Sequence, residues 1–115
     1  MHWTGIRQRR AGGVIVLDLE GQMTLSGEEE PRLLRAIREL VAGGYRLFLL
    51  NLAHVSYVDS TGIGEIVGAY TRVVREGGIL KLCGVSPRTQ ELLDTTNVAT
   101  IVVSYPTEQQ ALESF

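Results

Sequence analysis

The residues with the most chemistry to offer sit together in the stretch HVSYVDSTGIGEIVG, residues 54 to 68. There Asp59, Ser60 and Thr61 precede a glycine and an apolar run of helical spacing. Three uses suit such a cluster. Asp59 or Ser60 at a helix N-terminus can accept a hydrogen bond from a backbone N–H and cap the helix, contributing about 1 kcal/mol. Ser60 can act as a nucleophile if a base lies within reach. A hydroxyl here can also gain and lose a phosphate, whose charge of roughly −1.5 to −2 would meet the positive end of a helix. Capping accounts for one of the three residues but does not require them together.

The nucleophile reading lacks parts. The histidines are His2 and His54 alone, and nothing in the pattern supplies a third, orienting group. Asp-Ser-Thr-Gly is not the G-x-S-x-G of a nucleophile elbow. Asp59 could serve as a base, but no second acid accompanies it. Gly62, Gly64 and Gly68 loosely resemble a dinucleotide fingerprint. They do not directly follow the strand read at Tyr45–Leu52, however, and the sole lysine, Lys81, falls inside a strand, so no Walker lysine is present. Close packing, with Gly64 and Gly68 leaving one helix face small, is the plainer use. Cys83 cannot close an internal disulfide, and no Cys/His set has metal-ligand spacing. Within Ile79–Val85 its thiol reads as a small buried hydrophobe. The residues thus point to no catalytic set, no metal and no bound cofactor.

The switch reading carries a physical consequence. A phosphate on Ser60 should leave the domain folded, opposed only in part by Asp59, while changing what the surface can touch. A dianion pressed into a partner interface without a counter-charge costs several kcal/mol, and each 1.4 kcal/mol is about tenfold in affinity.

The elements that must position this cluster follow from periodicity. Ile6–Arg10 and Val14–Leu19 flank the turn Ala11-Gly12-Gly13 and read as a hairpin; residues 21 to 27 read as a loop. Leu33, Leu34, Ile37, Leu40 and Val41 share one helix face, ended by Gly43-Gly44. That helix starts with Ser26 and Glu29 as a capping box or, preferably, with Pro31 at its first position behind Glu28, Glu29 and Glu30. Tyr45–Leu52 has the apolar density of a strand buried on both faces. After a loop over 53 to 62, a second helix carries Ile63, Ile66, Val67, Tyr70, Val73 and Val74 on its core face and stops at Gly77-Gly78. Ile79–Cys83 is a strand. Ser86 caps a third helix with Pro87 in its first position, Thr100–Val103 is a last strand, and residues 107 to 112 form a terminal helix. The order β-β-α-β-α-β-α-β-α predicts an α/β fold in a single domain, residues 1–115. Its mixed five-stranded sheet is mostly parallel, with an antiparallel N-terminal hairpin and about four helices.

Bulk properties agree with one soluble core. The chain has 115 residues, 44% apolar and 21% charged, with a formal charge of −2. No broad field attracts nucleic acid or anionic membrane, and Arg7, Arg9 and Arg10 read as charge protecting an edge strand. The N-terminus shows no signal-peptide core, and no run of about eighteen apolar residues could span a bilayer. Cytoplasmic residence, without membrane insertion or direct nucleic-acid contact, is expected.

The element order, the motif Val58-Asp59-Ser60-Thr61-Gly62-Ile63-Gly64 and the later Gly84-Val85-Ser86-Pro87 resemble STAS domains over nearly the whole chain. The likeness is greatest to bacterial anti-sigma factor antagonists of the sporulation and general-stress type. The resemblance implies a non-enzymatic, phosphorylatable binding module. In that family the serine after the aspartate, here Ser60 (with Thr61 the second choice), is phosphorylated by a partner that is both anti-sigma factor and serine kinase. The kinase supplies ATP and Mg²⁺, and a phosphatase resets the cycle. The implied partner face comprises Thr24, Leu25, Ser26, Asp59, Ser60, Thr61, Gly62, Ile63 and Ser86. One departure is Thr24, which stands where relatives usually carry an aspartate. STAS domains also serve in stressosomes and lipid-transport complexes without a phosphocycle, and a small nucleotide-binding or hydrolytic α/β domain is the remaining alternative.

Overall fold

A computed structural model describes residues 5–23 and 32–115. Thr24, Leu25 and Ser26, together with the expected helix start at Ser26 or Pro31, lie outside the described residues. The hairpin forms as expected: β1 (Gly5–Ala11) pairs antiparallel with β2 (Val14–Met23), Ala11 opposite Val14. Gly12 turns the chain at φ +62, a conformation that suits a two-residue hairpin turn and costs a glycine little.

Three parallel strands extend this hairpin, β3 (Leu47–Val58), β4 (Ile79–Cys83) and β5 (Ser104–Tyr105), giving the spatial order β1-β2-β3-β4-β5. Four helices cover the sheet: α1 (Arg32–Ala42), α2 (Ser60–Arg75), α3 (Pro87–Thr95) and α4 (Glu108–Glu113). Side chains alternate across a strand, and that alternation divides the core into two layers. Ile15, Leu17 and Leu19 of β2, with Phe48 and Leu50 of β3, pack against Leu33 and Ile37 of α1 and Ile63 and Ile66 of α2. Val14, Val16, Leu49 and Cys83 face the other way, under Ala111 of α4.

Three sequence expectations need correction. The loop expected over 53 to 62 is largely strand, because β3 runs on to Val58 beside the end of β2, which itself includes Gly21 to Met23. Register shifts after Asp18 and after Gly21 break the period of two, and a run whose phase slips does not read as a strand. The strand expected at Thr100–Val103 is instead a 3₁₀ turn over Val98–Thr100, entered through Asn97 at φ 63. Only Val102 of Ile101, Val102 and Val103 is buried, and pairing with β4 begins where Leu82 N–H donates to Val103 O at 2.9 Å. Val74, placed on the core face of α2, is exposed, and Ala69 takes its place inside.

The basic cluster on β1 does more than guard an edge. The Arg9 guanidinium bridges Asp18 on β2 (2.5 and 2.9 Å) and Glu108 at the start of α4 (2.5 and 3.2 Å), while Asn51 Nδ2 donates to Asp18 at 2.9 Å. This network ties the hairpin, the sheet centre and the terminal helix together. Hydrogen bonding to Arg9 holds the Asp18 carboxyl below its ordinary pKa. The one lysine, Lys81, is likewise structural. Its ammonium donates to Ser114 O at 2.9 Å and Oγ at 2.8 Å, between the Tyr105 and Phe115 rings. No helix among the described residues is long and apolar enough to cross a membrane.

Candidate functional site

β3 ends at Val58 and α2 begins at Ser60, so Asp59 makes the corner, and it is held from three directions. Its N–H donates to Met23 O (3.2 Å), its carbonyl accepts from Ile63 N–H (3.0 Å), and its Oδ1 accepts from Gly62 N–H (3.0 Å). With extended backbone at φ −105, ψ −172, Asp59 is the N-cap of α2. The cap is therefore the acid and not the hydroxyls, which leaves Ser60 and Thr61 exposed in the first turn of a sixteen-residue helix.

Gly62 explains how the corner closes. A Cβ on this residue would lie 2.2 Å from Met23 O, 2.7 Å from Met23 Cβ and 2.9 Å from Val58 Cγ1. The start of α2 thus rests directly on the backbone at the end of β2, an approach only glycine permits. The close packing expected of Gly64 and Gly68 is not what the structure shows. A Cβ on Gly68 would meet Leu34 of α1 only at ordinary contact, and one on Gly64 would meet nothing within 4 Å, so neither position requires a glycine. Gly62 and Ile63, read from sequence as part of a partner face, are buried. One helical turn further on, Glu65 is 8% exposed and accepts from Leu33 N–H of α1 at 3.1 Å, so an acid from α2 serves the N-terminal turn of its neighbour.

Ser86 is exposed and caps α3, accepting from Thr89 N–H at 3.2 Å with Pro87 in the first position, as expected. Sequence reading missed what α3 brings to Ser60. A groove of about 450 Å³ lies beside the α2 start, walled by Tyr57, Asp59 and Ser60 on one side and Arg88, Glu91 and Leu92 on the other. The signal for it was the spacing 88, 91, 92, 95, one face of a helix, but nothing local says which element that face meets. The Arg88 guanidinium lies over the Tyr57 ring, 5.7 Å from its centroid. His54 lines a different hollow of about 290 Å³ with Arg7, Asp18, Glu20 and Asn51.

Chemically, the arrangement presents a primary hydroxyl at the positive end of a helix, on a hydrogen-bonded corner and beside an open groove. Burial pushes the Cys83 thiol up to about 11, which suits a packing role for it.

The model of the STAS domain family matches residues 6–111. Among curated proteins, the anti-sigma F factor antagonist of Paenibacillus polymyxa is 34% identical over 64 residues, 56% of this chain and 55% of that protein. The anti-sigma-B factor antagonist of Bacillus subtilis is 45% identical over 51 residues, 44% of this chain and 47% of that one. The chain thus spans about half the length of the curated relatives it matches. In fold it is similar to an anti-sigma factor antagonist from Mycobacterium paratuberculosis, with a TM-score of 0.80 at 23% identity over 96% of this chain and 92% of that one. It is also similar to the Bacillus cell fate determinant SpoIIAA in its phosphorylated form, with a TM-score of 0.71 at 18% identity over 96% and 98% of the two chains.

Proposed function

This chain belongs to the STAS domain family, and on that premise we propose that it is an anti-sigma factor antagonist switched by phosphorylation of Ser60. Unmodified, it binds an anti-sigma factor that is also a serine kinase, and so frees a sigma factor for transcription. The kinase transfers the γ-phosphoryl group of ATP to Ser60. The Ser60 Oγ–phosphorus bond forms as the bond to the β-phosphate oxygen breaks, ADP leaves, and a base of the kinase takes the hydroxyl proton. ATP and Mg²⁺ belong to the kinase; this chain contributes the acceptor and performs no catalysis of its own. A phosphatase returns Ser60 to the hydroxyl, and the cycle runs in the cytoplasm.

The observation that carries this reading is the division of labour at the α2 corner. Asp59 is committed to the cap, so Ser60 is held at a defined position with its hydroxyl exposed. That is the geometry a kinase needs in a substrate that stays folded. The phosphorylated product also finds support, because backbone N–H groups and the helix dipole favour an anion at this end. Named relatives that antagonise anti-sigma factors support the partner class, and SpoIIAA, similar in fold, exists in both unphosphorylated and phosphorylated forms. Asp59, Ser60, Thr61 and Ser86 make up the described part of the proposed contact face, with Thr24, Leu25 and Ser26 assigned to it by resemblance alone. Thr61, also exposed, is the second choice of acceptor.

Incubation with ATP, Mg²⁺ and the anti-sigma factor kinase of the same genome, followed by intact-mass spectrometry, tests the assignment. One phosphate is expected on the wild type and none on Ser60→Ala, with unchanged far-UV circular dichroism. Modification that persists in Ser60→Ala and disappears in Thr61→Ala overturns the choice of acceptor.

A further inference from the structure

We propose that Arg88 is the receptor for the phosphate on Ser60, so that the modified side chain folds into the groove between α2 and α3. The proposal rests on the phosphorylation reading and adds the residue that decides where the phosphate goes. Ser60 and Arg88 belong to opposite walls of one groove of about 450 Å³, a space large enough for a phosphate and a guanidinium together. Among the described residues lining it, Arg88 is the one cation, while Asp59 and Glu91 oppose an incoming anion.

Before modification Arg88 is held loosely. Its guanidinium stands 5.7 Å from the Tyr57 centroid, near the outer limit at which a ring face attracts a cation. Tyr57 is 41% exposed, so water competes for both partners. A phosphate offers the same guanidinium two charged oxygens in the fork geometry it matches best, a stronger interaction than a partly solvated ring. Transfer of Arg88 from Tyr57 to the phosphate therefore follows from the order of interaction strengths. The consequence goes beyond charge repulsion. The unmodified protein offers a partner an open groove lined by an aromatic ring and an available cation, and in the phosphorylated protein that cation is taken and an anion lies in the groove.

Phosphoserine introduced at position 60 of the full chain during translation allows a test without any kinase. The second ionisation of the phosphate is followed by ³¹P NMR against pH in the parent protein, Arg88→Gln, Arg88→Lys and Glu91→Gln. A guanidinium that pairs with the dianion lowers the midpoint from its usual value near 6. Arg88→Gln is expected to raise the midpoint by about half a unit or more, with Arg88→Lys between the two and Glu91→Gln below the parent. The helix N-terminus acts equally in all four proteins and cancels. Identical midpoints in the parent and Arg88→Gln overturn the proposal, and so does Arg88→Gln titrating lower. Failure of a kinase to modify Ser60 would count against the functional reading but not against this titration, so the two failures are separable.

Discussion

The same substitution made two residues apart in α2 should have opposite effects. In Gly62→Ala the new methyl would lie 2.2 Å from Met23 O, against an ordinary C···O approach of about 3.3 Å or more, so the helix start must retreat by about 1 Å. Retreat strains the core, costing about 1–3 kcal/mol, and stretches the 3.2 Å hydrogen bond from Asp59 N–H to Met23 O, worth about 1 kcal/mol. The gain in helix propensity offsets about 0.5–1 kcal/mol of this. The net loss of about 1–3 kcal/mol lowers Tm by roughly 4–12 °C for a domain of this size. Gly64→Ala meets nothing within 4 Å on an exposed helix face, so it keeps the propensity gain and raises Tm by roughly 2–4 °C. Thermal unfolding followed by far-UV circular dichroism measures both. If the two variants shift in the same direction, or if Gly62→Ala is neutral, α2 does not seat on β2 as described. Because Ser60 rides on the same corner, Gly62→Ala should also slow phosphorylation at temperatures where the protein remains folded.

Other outcomes follow from single interactions. Glu65→Ala removes the buried acceptor of Leu33 N–H and should cost about 1–3 kcal/mol by denaturant titration, whereas Glu65→Gln keeps an acceptor oxygen and should cost less; equal stability of all three proteins would remove this helix-to-helix role. Asp18 has a folded pKa held below its ordinary value of 3.8 by Arg9, so its contribution is complete above that value and is lost as pH falls through the folded one. The stability gap between wild type and Asp18→Asn should therefore be full at pH 7 and narrow as pH falls below about 4, and a gap that did not change with pH would contradict the ion pairing. Cys83, buried and raised to about 11, should react with iodoacetamide at pH 7 only when the domain unfolds; rapid, stoichiometric labelling of the native protein would show that it is not enclosed.

What could be read from the sequence was local. Ser86 and Pro87 announce the start of α3 because cap and first-turn preferences concern neighbours in the chain. The hairpin at Gly12-Gly13 and the buried runs of β2 and β3 are legible for the same reason. Asp59 and Ser60 were recognised as a pair, but which of them caps depends on the direction from which β3 enters α2. The missing features depend on distant partners. Gly62 is required by the backbone of Met23, Arg88 acquires its meaning from Tyr57 and Ser60, and Arg9 is fixed by Glu108 near the other end of the chain. The bulged end of β3 lacked a strand's period because its register slips. Ile101, Val102 and Val103 had the composition of a strand while most of that run faces solvent. Residue type alone does not distinguish such cases.

The most direct test of the central claim compares affinities. The full chain with serine at position 60 and the same chain with phosphoserine there are titrated calorimetrically into the anti-sigma factor kinase under identical conditions. A phosphorylated corner pressed into an interface where the partner offers no counter-charge, costing about 3 kcal/mol or more, predicts at least roughly hundredfold weaker binding of the phosphorylated form. Equal or tighter binding of the phosphorylated form would contradict the account.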